Sequence, residues 1–332
     1  MDSDPDRILQ YSNLDRKIWV DELNDFVPQR IFDAHAHLWN DAFATPATPH
    51  NNDWRDFNTG LTELRRISAL LLPGRELHFL AFPTPINPVD FDRLNSWTAE
   101  ELRADPQSYG AMLVTPEMSG NYVSEYINRY DNMIALKPYY TFTSVSNPMI
   151  TDYFPEKQME VANSFGLAVV LHLPDGPKSA LSELENLVAK YPRIRWILAH
   201  CAASGNPFQL ERVIERLSDL PNIWYDTSGN NEFYTLMLLL KYENRQRIMF
   251  ATDNALIMGG CRRGKNISYA YTTHFLYLKD ATFRIYEQLR IMRQACRLLE
   301  LSSSEIYDLF YHNTRKLLEQ LPPVQKNMES GK

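Results

Sequence analysis

The feature of this sequence that most constrains its fold is the alternation of short β-type runs with amphipathic helical segments. Runs rich in β-branched and aromatic residues recur along the chain, and segments with a helical period separate them. Strands that alternate with helices in this way indicate βαβ units and therefore a parallel sheet. The predicted strands are Arg30–Ala34, Leu77–Phe82, Gly110–Thr115, Met133–Lys137, Ala168–His172, Arg195–Ala199, Ile223–Asp226 and Arg247–Thr252.

Eight such units are the number that closes a (β/α)8 barrel, so we predict an α/β protein with the TIM-barrel fold. An open doubly wound sheet that binds a dinucleotide is less favoured, because no G-x-G-x-x-G sequence follows the first strand. We assign residues 1–30 to a short helical N-terminal lead-in and residues 31–322 to the barrel with its C-terminal helices. Residues 323–332 are expected to form a flexible tail.

Charge and cysteine content exclude several classes of protein. Lys and Arg total 34 against 41 Asp and Glu, so the formal net charge is -7, and we expect no binding to nucleic acid or to an anionic membrane. Three cysteines cannot form a paired disulfide framework, which favours a reducing compartment. The chain begins without the apolar stretch of a signal peptide, and no apolar run is long enough to span a bilayer. We therefore expect a cytoplasmic protein whose partner is a small-molecule substrate, with self-association into a homo-oligomer left open.

Histidine and aspartate residues gather where four of the predicted strands end. The first strand leads into His35 and His37, the fifth ends at His172, the sixth leads to His200, and the eighth leads to Asp253. Reacting groups in (β/α)8 barrels lie at the C-terminal ends of the strands. Residues two apart on a strand point to the same face, so the two histidines of the first strand can reach one point. We expect all five side chains to lie close together.

Imidazole nitrogen and carboxylate oxygen are the ligands that Zn²⁺ and similar ions prefer. We predict that His35, His37, His172 and Asp253 bind one divalent ion, most simply Zn²⁺, with Mn²⁺ as the alternative. A single histidine at a strand end is usually structural, and a bare His-x-His pair is common by chance. Their convergence with an aspartate favours the metal site. His200 is then a further polar group beside the metal, available as an acid, a base or an electrophile.

The sequence resembles the amidohydrolase superfamily, in particular the branch that contains aminocarboxymuconate-semialdehyde decarboxylase and related metal-dependent hydrolases. The resemblance spans residues 30–320 and is carried by the motifs FDAHAHLW, VVLHLPD, ILAHCAASGNP, IWYDTSG, FATDNAL and YHNTRKLL. It implies that the predicted histidine and aspartate ligands bind one divalent metal, commonly zinc. It also implies that His200 is catalytic, and that Asp253 both binds the metal and handles the proton of the attacking water.

Other residues are candidates for contact with the substrate. Lys137 ends the fourth strand, where it can bind a substrate carboxylate, form a salt bridge on the rim, or bridge two metals as a carbamate. Tyr139 and Trp39 can line an aromatic pocket. Arg262 lies in the long connection 254–280, which carries paired glycines and is expected to close over the site as a lid. Asp226, at the end of the seventh strand, either hydrogen-bonds His200 or caps a turn.

Several functions are compatible with these residues. We favour a metal-dependent hydrolase that uses a metal-activated water on a C–N, C–O or lactone bond of a small, carboxylate-bearing substrate. A non-oxidative decarboxylase of the aminocarboxymuconate-semialdehyde decarboxylase type is the alternative, since the same residues serve both reactions. An enzyme similar to uronate isomerases is less favoured. A barrel without catalytic activity is also less favoured, because no predicted ligand is missing.

Overall fold

A computed structural model describes residues 11–49, 58–173, 177–204, 206–254 and 281–321 of the chain. Parallel strands follow one another around a single sheet in the order of the sequence. All eight strands predicted from the sequence are present. Their bounds are Arg30–Leu38, Glu76–Pro83, Tyr109–Val114, Met133–Pro138, Ala168–Leu171, Arg195–Leu198, Ile223–Asp226 and Ile248–Met249, which we number β1 to β8.

The sheet closes because the chain after β8 hydrogen-bonds to β1. The amide of Ala34 donates to the carbonyl of Phe250 at 3.0 Å, and the amide of Asp253 donates to the carbonyl of His35 at 2.9 Å. Asn254 then accepts from the amide of His37 at 3.0 Å. The predicted (β/α)8 barrel is therefore confirmed, and its closure brings Asp253 beside the histidines of β1.

Two strands end three or more residues away from their predicted ends. β1 extends to Leu38, so both of its histidines lie inside the strand. β8 ends at Met249, three residues earlier than predicted. Beyond Met249 the pairing with β7 stops, because the amide of Ala251 donates to the hydroxyl of Thr227 at 3.3 Å and not to a backbone carbonyl of β7. The chain that follows β8 hydrogen-bonds to β1, which brings Asp253 next to the β1 histidines.

Helices cover the outside of the barrel. Many begin with a side-chain cap: Ser119 and Asn206, for example, accept hydrogen bonds from the amides of Tyr122 and Gln209. Helix 156–165 ends at Gly166, whose φ of 66° is a conformation that glycine adopts without strain. The helices are Asn13–Ile18, Leu61–Leu71, Phe91–Leu102, Gly120–Arg129, Ile150–Tyr153, Glu156–Phe165, Pro177–Lys190, Pro207–Leu217, Phe233–Tyr242, Arg284–Leu298, Ser303–Tyr307 and Asn313–Glu319.

The N-terminal helix packs against the first of the C-terminal helices. Buried Asp15 accepts a hydrogen bond from the hydroxyl of Thr282 at 2.7 Å, and the ring of Trp19 stacks on that of Tyr286 at 6.1 Å. These contacts join the two ends of the described chain on one side of the barrel. None of the helices in the described ranges is long and apolar enough to cross a membrane.

A β-bulge in β1 changes which side chains point into the barrel. Phe32 and Ala34 belong to the buried cluster inside it, together with Phe82 of β2. The register with β2 shifts by one residue between Asp33 and Ala36. An extra residue reverses the alternation of a strand, and bulges often redirect side chains near active sites. After the bulge, β1 no longer points apolar side chains into the barrel, and His35 instead faces its carboxyl end.

Candidate active site

The two histidines of β1 form the floor of the candidate site. The rings of His35 and His37 are 5.1 Å apart and both side chains are buried. Each ring meets the edge or face of Phe82, at 4.8 and 4.7 Å between centroids. This phenylalanine fixes the spacing of the pair, because neither ring can rotate freely against it.

Asp253 completes a cluster of metal-type donors with this pair. Its Oδ1 lies 3.0 Å from Nε2 of His37 and 3.4 Å from Nε2 of His35. All candidate ligand atoms of the three buried residues lie within 4.8 Å of one another. Two imidazole nitrogens and a carboxylate oxygen at this spacing can share one ion at the usual distances of about 2.0–2.2 Å. The donor set therefore fits a divalent metal.

The protonation states of these donors also suit a metal. Burial lowers the pKa of His35 to about 3, which leaves its imidazole neutral at pH 7. Burial alone raises the pKa of Asp253, but the hydrogen bond with His37 and the neighbouring imidazoles outweigh it, so the pKa lies well below its usual range. A neutral imidazole and an ionised carboxylate are the forms that bind metals.

His172 follows β5 and lies next to this cluster rather than within it. Its ring is 4.8 Å from that of His200 and 5.3 Å from the rings of both Tyr139 and Tyr140. Burial and the neighbouring cations lower its pKa well below the usual value, so it too is neutral at pH 7. The structure brings it to the site without placing a ligand atom in the cluster formed by the β1 pair and Asp253. Its role as the fourth ligand stays a prediction.

His200 lies in an unusual left-handed turn that follows β6. Residues 200–203 all have positive φ, between 52° and 61°, and none is glycine. Such a conformation costs roughly 1–2 kcal/mol per residue. The turn places the His200 ring 4.9 Å from that of His35. Strain held next to a cluster of buried histidines indicates a site where position matters more than stability.

Asp226 and Ser228 hold this turn from the end of β7. Oδ1 of Asp226 accepts from the amide of His200 at 2.9 Å, and its Oδ2 lies 2.9 Å from Nδ1 of His35. The hydroxyl of Ser228 donates to Oδ1 of Asp226 at 2.5 Å and lies 2.9 Å from Nδ1 of His200. Asp226 thus hydrogen-bonds the backbone amide of His200 and caps the turn, which agrees with both of the interpretations left open by the sequence. Ser228 was missed, although the polar pair Thr227 and Ser228 directly after β7 is a usable signal.

Lys137 ends β4 and carries a buried cation to the same region. Its side chain is 1% exposed, and its ammonium group has no hydrogen-bond partner within the described parts of the chain. The Nζ atom lies 4.9 Å from the centroid of Phe82 and 5.8 Å from that of Tyr139. Burial lowers the pKa of Lys137 to about 8, although Asp226 and Asp253 raise it. The ammonium therefore faces the ring that also supports the β1 histidines.

The other candidate substrate contacts are less directly placed. Tyr139 lies between Lys137 and His172, within ring contact of the latter. Trp39 is buried directly after β1 and exchanges backbone hydrogen bonds with Thr59 at 3.1 and 2.7 Å. Its contact with substrate stays a prediction. Arg262 and residues 255–280 of the expected lid lie outside the described residues.

Comparison with known proteins identifies the family. Residues 32–320 match the model of the family named Amidohydrolase. The chain belongs to the amidohydrolase family. The resemblance stated from the motifs is thereby confirmed, and the chain is an enzyme of the amidohydrolase superfamily. No curated protein matches the sequence.

Solved structures of other proteins share the amidohydrolase fold at low sequence identity. The 5-carboxyvanillate decarboxylase of Sphingomonas paucimobilis has a TM-score of 0.58 at 14% identity, over 88% of this chain and 99% of that one. A probable 2-pyrone-4,6-dicarboxylic acid hydrolase of Acinetobacter baumannii has 0.57 at 14%, over 87% and 99%. A dihydroxybenzoic acid decarboxylase of Polaromonas, solved with manganese and an inhibitor, has 0.55 at 12%, over 88% and 97%. At such identities the likeness shows the fold alone.

Proposed function

We propose that this amidohydrolase removes the carboxyl group of a small aromatic or unsaturated carboxylic acid in a metal-dependent, non-oxidative reaction. The observation that carries the proposal is the buried ammonium of Lys137, which has no hydrogen-bond partner among the described residues and lies beside a cluster of metal-type donors. Burying a cation without a partner costs several kcal/mol. A binding site can retain such a cation where an anionic ligand neutralises its charge. A substrate carboxylate is the simplest such ligand.

His35, His37 and Asp253 would hold one divalent ion, with His172 as the proposed fourth ligand. When bound, the ion supplies a Lewis acid that polarises a substrate oxygen and lowers the pKa of bound water. Zn²⁺ is the expected metal and Mn²⁺ the alternative. The manganese in the Polaromonas decarboxylase supports keeping both in the test.

The chain's own residues would bind the substrate and move its proton. Lys137 pairs with a carboxylate, while the rings of Phe82 and Tyr139 pack around the ammonium and exclude water. The carbon–carbon bond then breaks, CO₂ leaves, and the electron pair stays on the substrate carbon. His200, in the strained turn beside the metal donors, takes a proton from solvent on its unprotonated ring nitrogen and delivers it to that carbon.

Hydrolysis, the reaction favoured by the sequence alone, is the second candidate. The observation in its favour is Asp253, a carboxylate whose pKa is held low by His37 and the neighbouring imidazoles despite burial. Such a group is ionised at neutral pH and can accept a proton from an attacking water. We place decarboxylation first because four of the similar solved structures carry decarboxylase names, whereas one is named as a hydrolase of a specific substrate and two are named only as amidohydrolases.

The test is a paired assay on enzyme loaded with Zn²⁺ or Mn²⁺. Hydroxylated aromatic acids and unsaturated dicarboxylic acids are screened for CO₂ release, and lactones and amides bearing a carboxylate are screened for hydrolysis. We expect metal-dependent CO₂ release, deuterium at one product carbon in D₂O, and a large rise of KM in Lys137→Met, which keeps the length of the side chain but not its charge. Hydrolysis without CO₂ release would instead establish the second candidate. A fully loaded enzyme inactive in both screens would refute both.

A further inference from the structure

We infer that Asp226 is a shared positioning residue that sets the ring tautomers of His35 and His200 together, acting on the latter through Ser228. The inference rests on the proposed metal site, since it concerns which nitrogen of His35 is available to a metal. It follows from the hydrogen-bond donors and acceptors around one buried carboxylate, which is 0% exposed.

Four hydrogen-bonding groups of described residues surround Asp226. Oδ1 accepts from the amide of His200 at 2.9 Å, from the amide of Ser228 at 3.0 Å and from the hydroxyl of Ser228 at 2.5 Å. Oδ2 lies 2.9 Å from Nδ1 of His35. An ionised carboxylate accepts hydrogen bonds and donates none. The environment is therefore built for the charged form, with both oxygens occupied.

This arrangement decides the tautomer of His35. Because Oδ2 can only accept, Nδ1 of His35 must carry the proton. The lone pair of the neutral ring is then on Nε2, the atom that lies 3.4 Å from Oδ1 of Asp253 in the cluster of metal-type donors. A carboxylate behind the imidazole is the usual way in which a metal-binding histidine is oriented.

The same carboxylate decides the tautomer of His200 through one intermediate. The Ser228 hydroxyl has a single proton, and at 2.5 Å from the carboxylate it must donate there, since two acceptors would repel. Its oxygen is then an acceptor for Nδ1 of His200 at 2.9 Å, as is the Ser228 carbonyl at 3.1 Å. Nδ1 of His200 is therefore protonated, and the lone pair of the neutral ring is on Nε2.

Replacing Asp226 by asparagine should affect the two histidines unequally. An amide turned with its NH₂ group toward the Oδ1 position would meet three donors, from His200 and Ser228. In the opposite orientation the NH₂ group faces only Nδ1 of His35. The His35 ring can then accept this hydrogen bond at Nδ1 if its own proton moves to Nε2. That tautomer removes the lone pair a metal needs. Asp226→Asn should therefore lower metal affinity although it removes no ligand.

Three variants separate this role from a structural one. Asp226→Asn is compared with Ser228→Ala, which breaks the link to His200 and leaves the contact with His35. The control is Asp105→Asn, which removes a buried carboxylate 2.8 Å from Nδ1 of His78 near the amino-terminal ends of the strands, outside the site. Zinc affinity is measured by competition with a chromogenic chelator. Histidine tautomers are read from long-range ¹H–¹⁵N correlation spectra of the zinc-loaded protein, assigned with His35 and His200 substitutions.

We expect Asp226→Asn to bind zinc about 10–100-fold more weakly than wild type. Asp105→Asn and Ser228→Ala should bind it as wild type does, and Ser228→Ala should lower kcat with KM unchanged. Wild type should show Nδ1–H on both His35 and His200. Nε2–H on either ring in wild type, or wild-type zinc affinity in Asp226→Asn, would overturn the inference while leaving the metal site intact. Absence of zinc binding by wild type would instead refute the proposed function.

Discussion

At the scale of single residues, the number of hydrogen bonds that a buried charged group makes indicates its role. Lys137 is a buried cation with no hydrogen bond in the described structure, whereas Asp226 is a buried anion that collects four. We therefore expect Lys137 to bind an anionic ligand and Asp226 to position its neighbours. Residue type alone does not distinguish these roles, because both are charged groups at the ends of strands.

His200 is expected to act in chemistry rather than in metal binding, because His35, His37, His172 and Asp253 already supply the predicted protein ligands, and a fifth would leave no position for water or substrate. General acid–base catalysis is typically worth about 10²–10⁴ in rate. His200→Asn should therefore lower kcat by about that factor, and metal analysis should find the ion retained. Loss of the ion from this variant would instead make His200 a ligand.

Lys137 is expected to give substrate affinity a pH dependence. Burial lowers its pKa to about 8, so the ammonium is present below that pH and is lost as pH rises through it. A bound carboxylate shifts this limit upward, because it favours the charged form. KM should therefore rise above pH 8 in wild type. In Lys137→Met, KM should be high and free of this limb at every pH while metal content is unchanged. Loss of one of two bound metals would favour the carbamate alternative.

At the scale of elements, positive φ values mark the places where the backbone departs from regular structure. One group, at residues 200–203 and Asp253, lies at the site. Another, Glu300, follows helix 284–298, where the amide of Leu301 donates to the carbonyl of Cys296 at 2.9 Å in a helix-terminating turn. The first group positions functional side chains. The second is a plain chain reversal on the surface, so its strain can be removed without affecting the site.

Glu300→Gly is accordingly expected to stabilise the fold. Glycine adopts the left-handed conformation without the roughly 1–2 kcal/mol that other residues incur, partly offset by its greater freedom when unfolded. We expect the free energy of unfolding in urea to rise by about 0.5–1 kcal/mol. The matched control is Ala69→Gly, at an exposed position inside helix 61–71, which should lower it by about 1 kcal/mol. Destabilisation by both substitutions would contradict the assignment.

At the scale of the whole molecule, closure of the barrel assembles the site. Asp33 in β1 accepts from both the amide and the hydroxyl of Thr252, at 2.9 and 2.5 Å, and so ties the end of β8 to the first strand. The two halves of the metal-type cluster come from opposite ends of the described barrel sequence. A ligand that joins them should therefore stabilise the entire fold.

Metal removal tests this coupling. We expect about one divalent ion per chain, and an increase in unfolding free energy of about 2.7 kcal/mol at a free-metal concentration of 100 times Kd. A chelator should lower Tm, and His35→Ala should abolish the metal-dependent part of Tm. His172→Ala tests the predicted fourth ligand, and its loss of metal should be smaller because His172 lies outside the three-residue cluster. Equal Tm with and without metal in wild type would contradict the site.

The sequence by itself determined the barrel and the set of residues at its mouth. Alternating patterns identify strands locally, and parallel strands of a barrel bring their carboxyl ends to one side, so His35, His37, His200 and Asp253 were found without coordinates. The tertiary structure decided what those residues do to one another. The bulge in β1, the early end of β8, the isolation of the Lys137 ammonium and the hydroxyl of Ser228 depend on which atoms meet across the barrel. A hydrogen bond between strands far apart in the chain leaves no periodic signal in sequence, and only packing specifies it.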